Sequence, residues 1–313
     1  MTVQLTTVVF ILEGIATCVI SLFGFWFISD FPEEAKFLTE PERQFVIAKL
    51  QKDIGNSAYE DLTWKKGLEV FKDWKVWVGG LMYISYIVGA YGTSPATTCF
   101  ASFMLMLTFW IGYAYFSPTI ISSLGYVATR ANLMSVPPWA AAFAFAMFMA
   151  TASDYLAHRY IFALIPTLIA IIGFAVLVSP SLANATYYGA LFLAAAGSYT
   201  AMPIVVCWYN TNLGGHTKRS VGSAWQIGFG NIGGIIATYV FLSNTAPRFV
   251  LGKSVCIGFL GMGVLVITGY WAALRYENWR RDRRQGLSAH EDHLSVEEMS
   301  RLGDGHPDFR FIL

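Results

Sequence analysis

Apolar residues gather in seven long runs, at 8–28, 76–121, 133–152, 161–178, 187–208, 221–242 and 255–274, and charged residues lie almost wholly between them. Most runs approach the roughly 20 residues that a helix needs to cross the hydrocarbon core of a bilayer. Hydrocarbon offers no partner to an unpaired backbone group, so each run is predicted to be helical. The expected fold class is all-α, a multi-pass transmembrane helix bundle with seven predicted spans.

The connectors supply a topology. With one crossing per run, every Lys and Arg except Arg130, Arg248 and Lys253 falls on the same side. By the positive-inside rule that side is cytoplasmic, which puts the C-terminal tail inside and the first residues of the chain outside. Composition agrees: 55% of residues are hydrophobic and 13% charged, and the mean hydropathy is +0.50, more apolar surface than one soluble core uses. The net charge of +1 argues against a nucleic-acid partner. The basic cluster at 275–284 reads instead as a juxtamembrane anchor facing anionic lipid.

The first run lacks a basic leading segment and a small-residue cleavage site, and it contains Glu13, so it is read as an internal helix and not as a cleavable signal. Cys18, Cys99, Cys207 and Cys256 all fall within apolar runs at unrelated spacings, so they are expected to be buried thiols and not a disulfide or metal set. Between the first two runs, Thr39-Glu40-Pro41-Glu42 is a capping-box pattern with proline in the first turn. Phe45, Val46, Lys49 and Leu50 follow at helical spacing, which predicts a short amphipathic helix on the cytoplasmic face. The tail beyond Arg284 is polar, with a helix start predicted at Ser295-Val296-Glu297-Glu298, and is expected to be mobile. Asn184-Ala185-Thr186 is a glycosylation sequon in a loop that the charge count puts outside.

Several motifs carry a family resemblance. Ser153-Asp154-Tyr155-Leu156-Ala157-His158-Arg159 resembles a reduced form of the cytoplasmic loop of the major facilitator superfamily, an acid followed four and five residues later by basic groups. Such a loop locks helix ends through charge pairing and helix dipoles, so Asp154, His158 and Arg159 are expected to gate between conformers. Four further segments, 31–39, 113–121, 131–138 and 215–219, look like the fungal allantoate permease group, anion:cation symporters of that superfamily. The resemblance spans residues 9 to 280 and implies proton-coupled transport of an organic anion such as allantoate, nicotinate or a vitamin-like carboxylate.

The family pattern has twelve helices, and this chain aligns with the sixth through the twelfth, so most of the N-terminal half is expected to be missing. The resemblance divides the chain into a sixth helix at 1–30, an inter-half loop at 31–74, the C-terminal transmembrane half at 75–276 and a cytoplasmic tail at 277–313. Residues 93–112 have no counterpart in the family pattern and are apolar. An extra crossing there would move every later basic loop outside, so the insert is read as non-spanning sequence from a retained intron.

The superfamily's substrate site lies at mid-membrane between the halves, where polar groups face a water-filled cavity. An unpaired amide or phenol is costly in hydrocarbon, which makes Tyr113, Tyr115, Asn132, Trp208, Gln226 and Asn231 the substrate-path candidates. Interhelical hydrogen bonding is the competing role for each. Asn210 and Asn212 sit nearer the cytoplasmic interface and are weaker candidates. Gly228 to Gly233 has dinucleotide-loop spacing, but no strand precedes it, and Gly230 and Gly234 read instead as a close-packing helix face. Glu13 is the only acid well inside a run, so the coupling charges are assigned mainly to the missing half. His290-Glu291-Asp292-His293 reads as an exposed acidic segment, and no metal site or cofactor is expected.

No catalytic constellation is apparent, so an enzyme is disfavoured. The expected protein is an integral membrane protein of the plasma membrane, with a small organic anion and a proton as its partners. A second reading is a non-transporting membrane subunit or regulatory fragment that packs with another membrane protein.

Overall fold

The computed structural model describes residues 15, 18, 19, 21, 22, 35, 37–54, 64–91, 128–179, 183–240, 250–285, 303–305 and 309–313. It divides into two units, 1–57 and 58–313. Expectations resting on Glu13, Tyr113, Tyr115, Cys99, the 93–112 insert, 290–293 and 295–298 lie outside the described residues.

In the first unit, α1 spans Glu40–Ile54. Its start follows the capping-box pattern. The Thr39 backbone N–H and hydroxyl both donate to the Glu42 carboxylate, at 3.0 and 2.6 Å, and the first helical bond runs from Arg43 N–H to Thr39 O. Phe45 is exposed on this helix.

The second unit contains α2 (Trp64–Val70), α3 (Trp74–Tyr91), α4 (Ala128–Leu156), α5 (Arg159–Val178), α6 (Asn184–Thr211), α7 (His216–Val240) and α8 (Val250–Gln285). A 3-10 turn at Gly303–Gly305 follows. No strand occurs among the described residues. Among the described residues four helices are long and apolar enough to cross a membrane, with spans at Val136–Leu156, Arg159–Val178, Asn184–Thr211 and Val250–Arg284. Two more predicted runs correspond to α3 and α7, which pack into the same bundle. Exposed Phe143, Phe148, Ile172 and Leu265 keep apolar faces outward, the distribution expected of a chain whose solvent is lipid.

α6 is the central helix, in contact with α3, α4, α5 and α7. It can serve four neighbours because small residues, among them Ala194, Gly197, Ser198 and Ala201, line its buried surface. The closest approach is to α5. A Cβ on Gly197 would lie 2.4 Å from both Ala170 N and Pro166 O, and one on Gly173 would lie 2.5 Å from Ala194 N. Backbone therefore rests on backbone here. Hydrogen bonds join the other helices: Tyr188 OH donates to Met134 O on α4, and Tyr199 OH to Ala90 O on α3.

Gly230 packs α7 against α3, since a Cβ there would lie 2.0 Å from the Tyr83 ring. The next turn makes its contact through Gly233, whose Cβ would meet Ile84, Ile87 and Val88, and Gly234 is also buried.

Three sequence expectations are corrected. The link after α4 is shorter than the predicted loop: the helix continues through Asp154 to Leu156, leaving only Ala157 and His158 between helices. Asn184 opens α6 instead of lying in a loop. Of the described cysteines only Cys256 is buried, while Cys18 and Cys207 are exposed.

Candidate functional site

The polar chemistry of the second unit concentrates at the end of the bundle where α6 finishes and α3 and α7 begin. Asp73 starts α3 as an N-cap, its carboxylate accepting from the Lys75 backbone N–H at 2.9 Å. The same carboxylate pairs with Lys75 Nζ at 3.4 Å and with Lys218 Nζ at the start of α7. Asp304 completes the group, pairing with Lys75 and accepting from Lys218 at 2.7 and 2.8 Å. Two acids thus face two cations in a largely buried cluster. Burial opposes the charge on Asp73, but the Lys218 hydrogen bond and both cations hold its carboxyl below the ordinary 3.8. Burial likewise opposes the charge on Lys218, and the two carboxylates outweigh it, raising its ammonium above 10.5.

Residues 309–313 lie against this end, contrary to the mobile tail that composition predicts. The side-chain amide of Asn278 on α8 takes both backbone groups of Phe311, donating to its O at 2.9 Å and accepting from its N–H at 3.0 Å. Asn212, at the end of α6, does the same for Ile312, at 3.1 and 2.8 Å. Trp208 Nε1 donates to Ile312 O at 2.8 Å, and Arg281 Nη1 to Phe309 O at 2.9 Å. The first backbone N–H of α5, on Arg159, donates to Leu313 O at 2.7 Å. That helix has no side-chain cap, so the tail supplies one. Phe311 is buried under two cations, Lys75 at 4.6 Å and Arg281 at 4.8 Å from its ring centroid.

Beside the tail is an open cleft of about 520 Å³ whose lining includes Asp73, Lys75, Tyr276, Glu277, Arg280 and Phe311.

The sequence-predicted residues distribute as follows. Asp154 and Arg159 pair at 2.6 Å across the two-residue link, while His158 precedes α5. Trp208 is fully buried in this half, edge-on to Tyr270 at 5.0 Å. Gln226 is also fully buried, on the α7 face that carries Gly222 and Gly230, and neither of its amide atoms has a hydrogen-bond partner among the described residues. Asn231 is exposed on α7, and Asn132 lies near the start of α4. The fold therefore gathers Trp208 with the tail, and leaves Gln226 and Asn231 on different faces of one helix.

Sequence reasoning missed Asn278, Asp304 and the tail contacts. The signal was the pair Phe309 and Phe311 near the end of a largely polar tail, which composition alone does not resolve. Among the described residues no group of three His, Cys, Asp or Glu could hold a metal ion.

No protein-family model matches the chain. The chain is 27% identical over 306 residues to the major facilitator-type transporter hxnP of Emericella nidulans, covering 97% of this chain and 58% of that protein. It is 28% identical over 280 residues to the MFS-type transporter efuF of Hormonema carpetanum, covering 88% and 52%. It is 22% identical over 306 residues to the high-affinity nicotinic acid transporter of Saccharomyces cerevisiae, covering 97% and 53%. The chain spans a little over half the length of these relatives, which are transporters and not enzymes. Over most of its length the chain is thus similar to fungal major facilitator-type transporters, and its fold is an all-α membrane-spanning helix bundle of that type.

Proposed function

We propose that this chain forms the C-terminal half of a proton-coupled permease for a small organic anion, of the allantoate permease kind, working by alternating access in the plasma membrane. The observation that carries the reading is the similarity over 97% of the chain to transporters that include one named for nicotinic acid. The polar end with Asp73, Lys218 and Asp154 is assigned to the cytoplasm, in keeping with the positive-inside distribution.

Within this reading the domain division is retained, with 31–74 as the loop between halves and 277–313 as a cytoplasmic tail. Gln226 is the strongest ligand-facing candidate. A buried amide left without a partner costs about 1–3 kcal/mol, and a carboxylate accepting from its NH2 group would remove part of that cost. Asn231, exposed on α7, suits a wall that faces the other half. Trp208 is assigned to holding the tail and not to substrate. Asp154 and Arg159 act as the gating pair, and Gly230 and Gly234 as helix packing. Tyr113, Tyr115 and Asn132 remain substrate-path candidates.

Uptake of labelled nicotinate and allantoate tests the proposal, in cells lacking their own carriers that express this chain with and without the N-terminal portion of a relative. Accumulation that collapses with a protonophore, and that falls at least 10-fold in Gln226→Leu, is expected. Absence of uptake in every combination, with co-purification of a different membrane protein, would favour the packing subunit instead.

A further inference from the structure

The contacts made by 309–313 have the chemistry of peptide recognition. Phe311 and Ile312 are consecutive residues, and each has its N–H and its C=O taken by a single asparagine, Asn278 for one and Asn212 for the other. In an extended chain the backbone groups of successive residues point to opposite edges. The two amides therefore stand where neighbouring strands would stand, one on α8 and one at the end of α6. A primary amide reproduces the donor and acceptor of a peptide group, so each asparagine reads backbone and not side chain. Selectivity then comes from two other places. One is the buried Phe311 ring beneath Lys75 and Arg281, and the other is Asp304, seven positions earlier, held by Lys75 and Lys218.

We propose that this end of the bundle is a peptide-binding groove that the chain fills with its own residues 303–305 and 309–313. Occupancy latches five helices together: α3 and α7 through the lysines, α5 through its first N–H, and α6 and α8 through the asparagines. Main-chain hydrogen bonds supply affinity and the aromatic pocket supplies register, as in strand-addition recognition. A cis occupant benefits from a high effective concentration, so a separate peptide competes only when the tail is displaced. The groove accepts a segment with an acidic residue seven positions before a buried aromatic. The proposal does not depend on the chain being a permease.

Two measurements on the purified 313-residue chain test it. Hydrogen exchange of the wild-type protein is expected to show the Phe311 and Ile312 amides protected at least 100-fold relative to the free peptide 303–313. The double variant Phe311→Asp, Ile312→Pro vacates the groove and leaves its walls intact. A fluorescent peptide of residues 303–313 should bind that variant saturably. Binding should be at least 10-fold weaker to wild type, and to a form that also carries Asn212→Ala and Asn278→Ala. Exchange at free-peptide rates in the wild type, or equal or absent peptide binding across the three forms, would overturn the proposal. If the displaced variant fails to fold, Asp304→Ala serves in its place: it should speed tail exchange at least 10-fold, and unchanged exchange would count against the latch.

Discussion

Ala157 takes a left-handed backbone, φ 50°, to turn the chain from α4 into α5 with a single further residue. An L side chain in that region costs about 1–2 kcal/mol, because Cβ crowds the following carbonyl. Glycine lacks the clash, so Ala157→Gly should raise stability by about 1 kcal/mol, less its greater freedom in the unfolded chain. Thermal unfolding in detergent measures this, and a lower midpoint would contradict it. Lys253 shows another local solution. It is one of the three cations on the sparsely charged side, yet it is buried, donating to Leu177 O in the last turn of α5 at 3.1 Å and to Tyr187 OH. A cation there complements the carbonyl end of a helix. At this scale the sequence was legible where partners are near neighbours, as in the Thr39 and Glu42 cap. It was silent on Lys253, whose acceptor lies 76 positions away.

Among the helices, α5 and α6 cross with backbone against backbone. Gly173 and Gly197 are lone glycines in their helices' contact faces, without the four-residue spacing that drew attention to Gly230 and Gly234 on α7. A pattern search finds repeats on one helix, whereas close approach needs only one small residue on each partner. Gly197→Ala should therefore destabilise the bundle by about 2–4 kcal/mol, because the obstructing atoms are backbone and cannot turn aside. Gly269→Ala, with nothing within 4 Å of its Cβ, is the matched control and should cost little. Equal unfolding midpoints for the two would refute this account of the crossing. The apolar runs revealed that these helices exist, since lipid exposure demands long uniform segments. Their ends were harder to read: α4 runs through Asp154 because its polar last turn emerges beyond the apolar stretch.

At the largest scale the second unit is joined at the acid and lysine cluster, which brings α3, α7 and the tail to one place. Asp73 is depressed below 3.8, so its stabilising effect is complete above that value and is lost as pH falls through the lower folded-state pKa. Lys218 is raised above 10.5, so its effect is complete below 10.5 and is lost as pH rises through the higher folded-state value. The unfolding midpoint in detergent should accordingly stay constant through neutral pH and fall only below about pH 4 or above about pH 10.5. A transition near pH 6 or 7 would show that other groups control it. Bundle architecture was readable from hydropathy at this scale, and the docking of 309–313 was not, because it uses backbone groups that every residue carries.

Trp208 gives this docking an optical signature. Its ring is shielded from water and its N–H is engaged by Ile312, so it should emit at shorter wavelength than a hydrated indole. The chain has 10 Trp, but a difference spectrum against Trp208→Phe isolates this fluorophore. Its red shift would follow undocking in real time, without any attached dye.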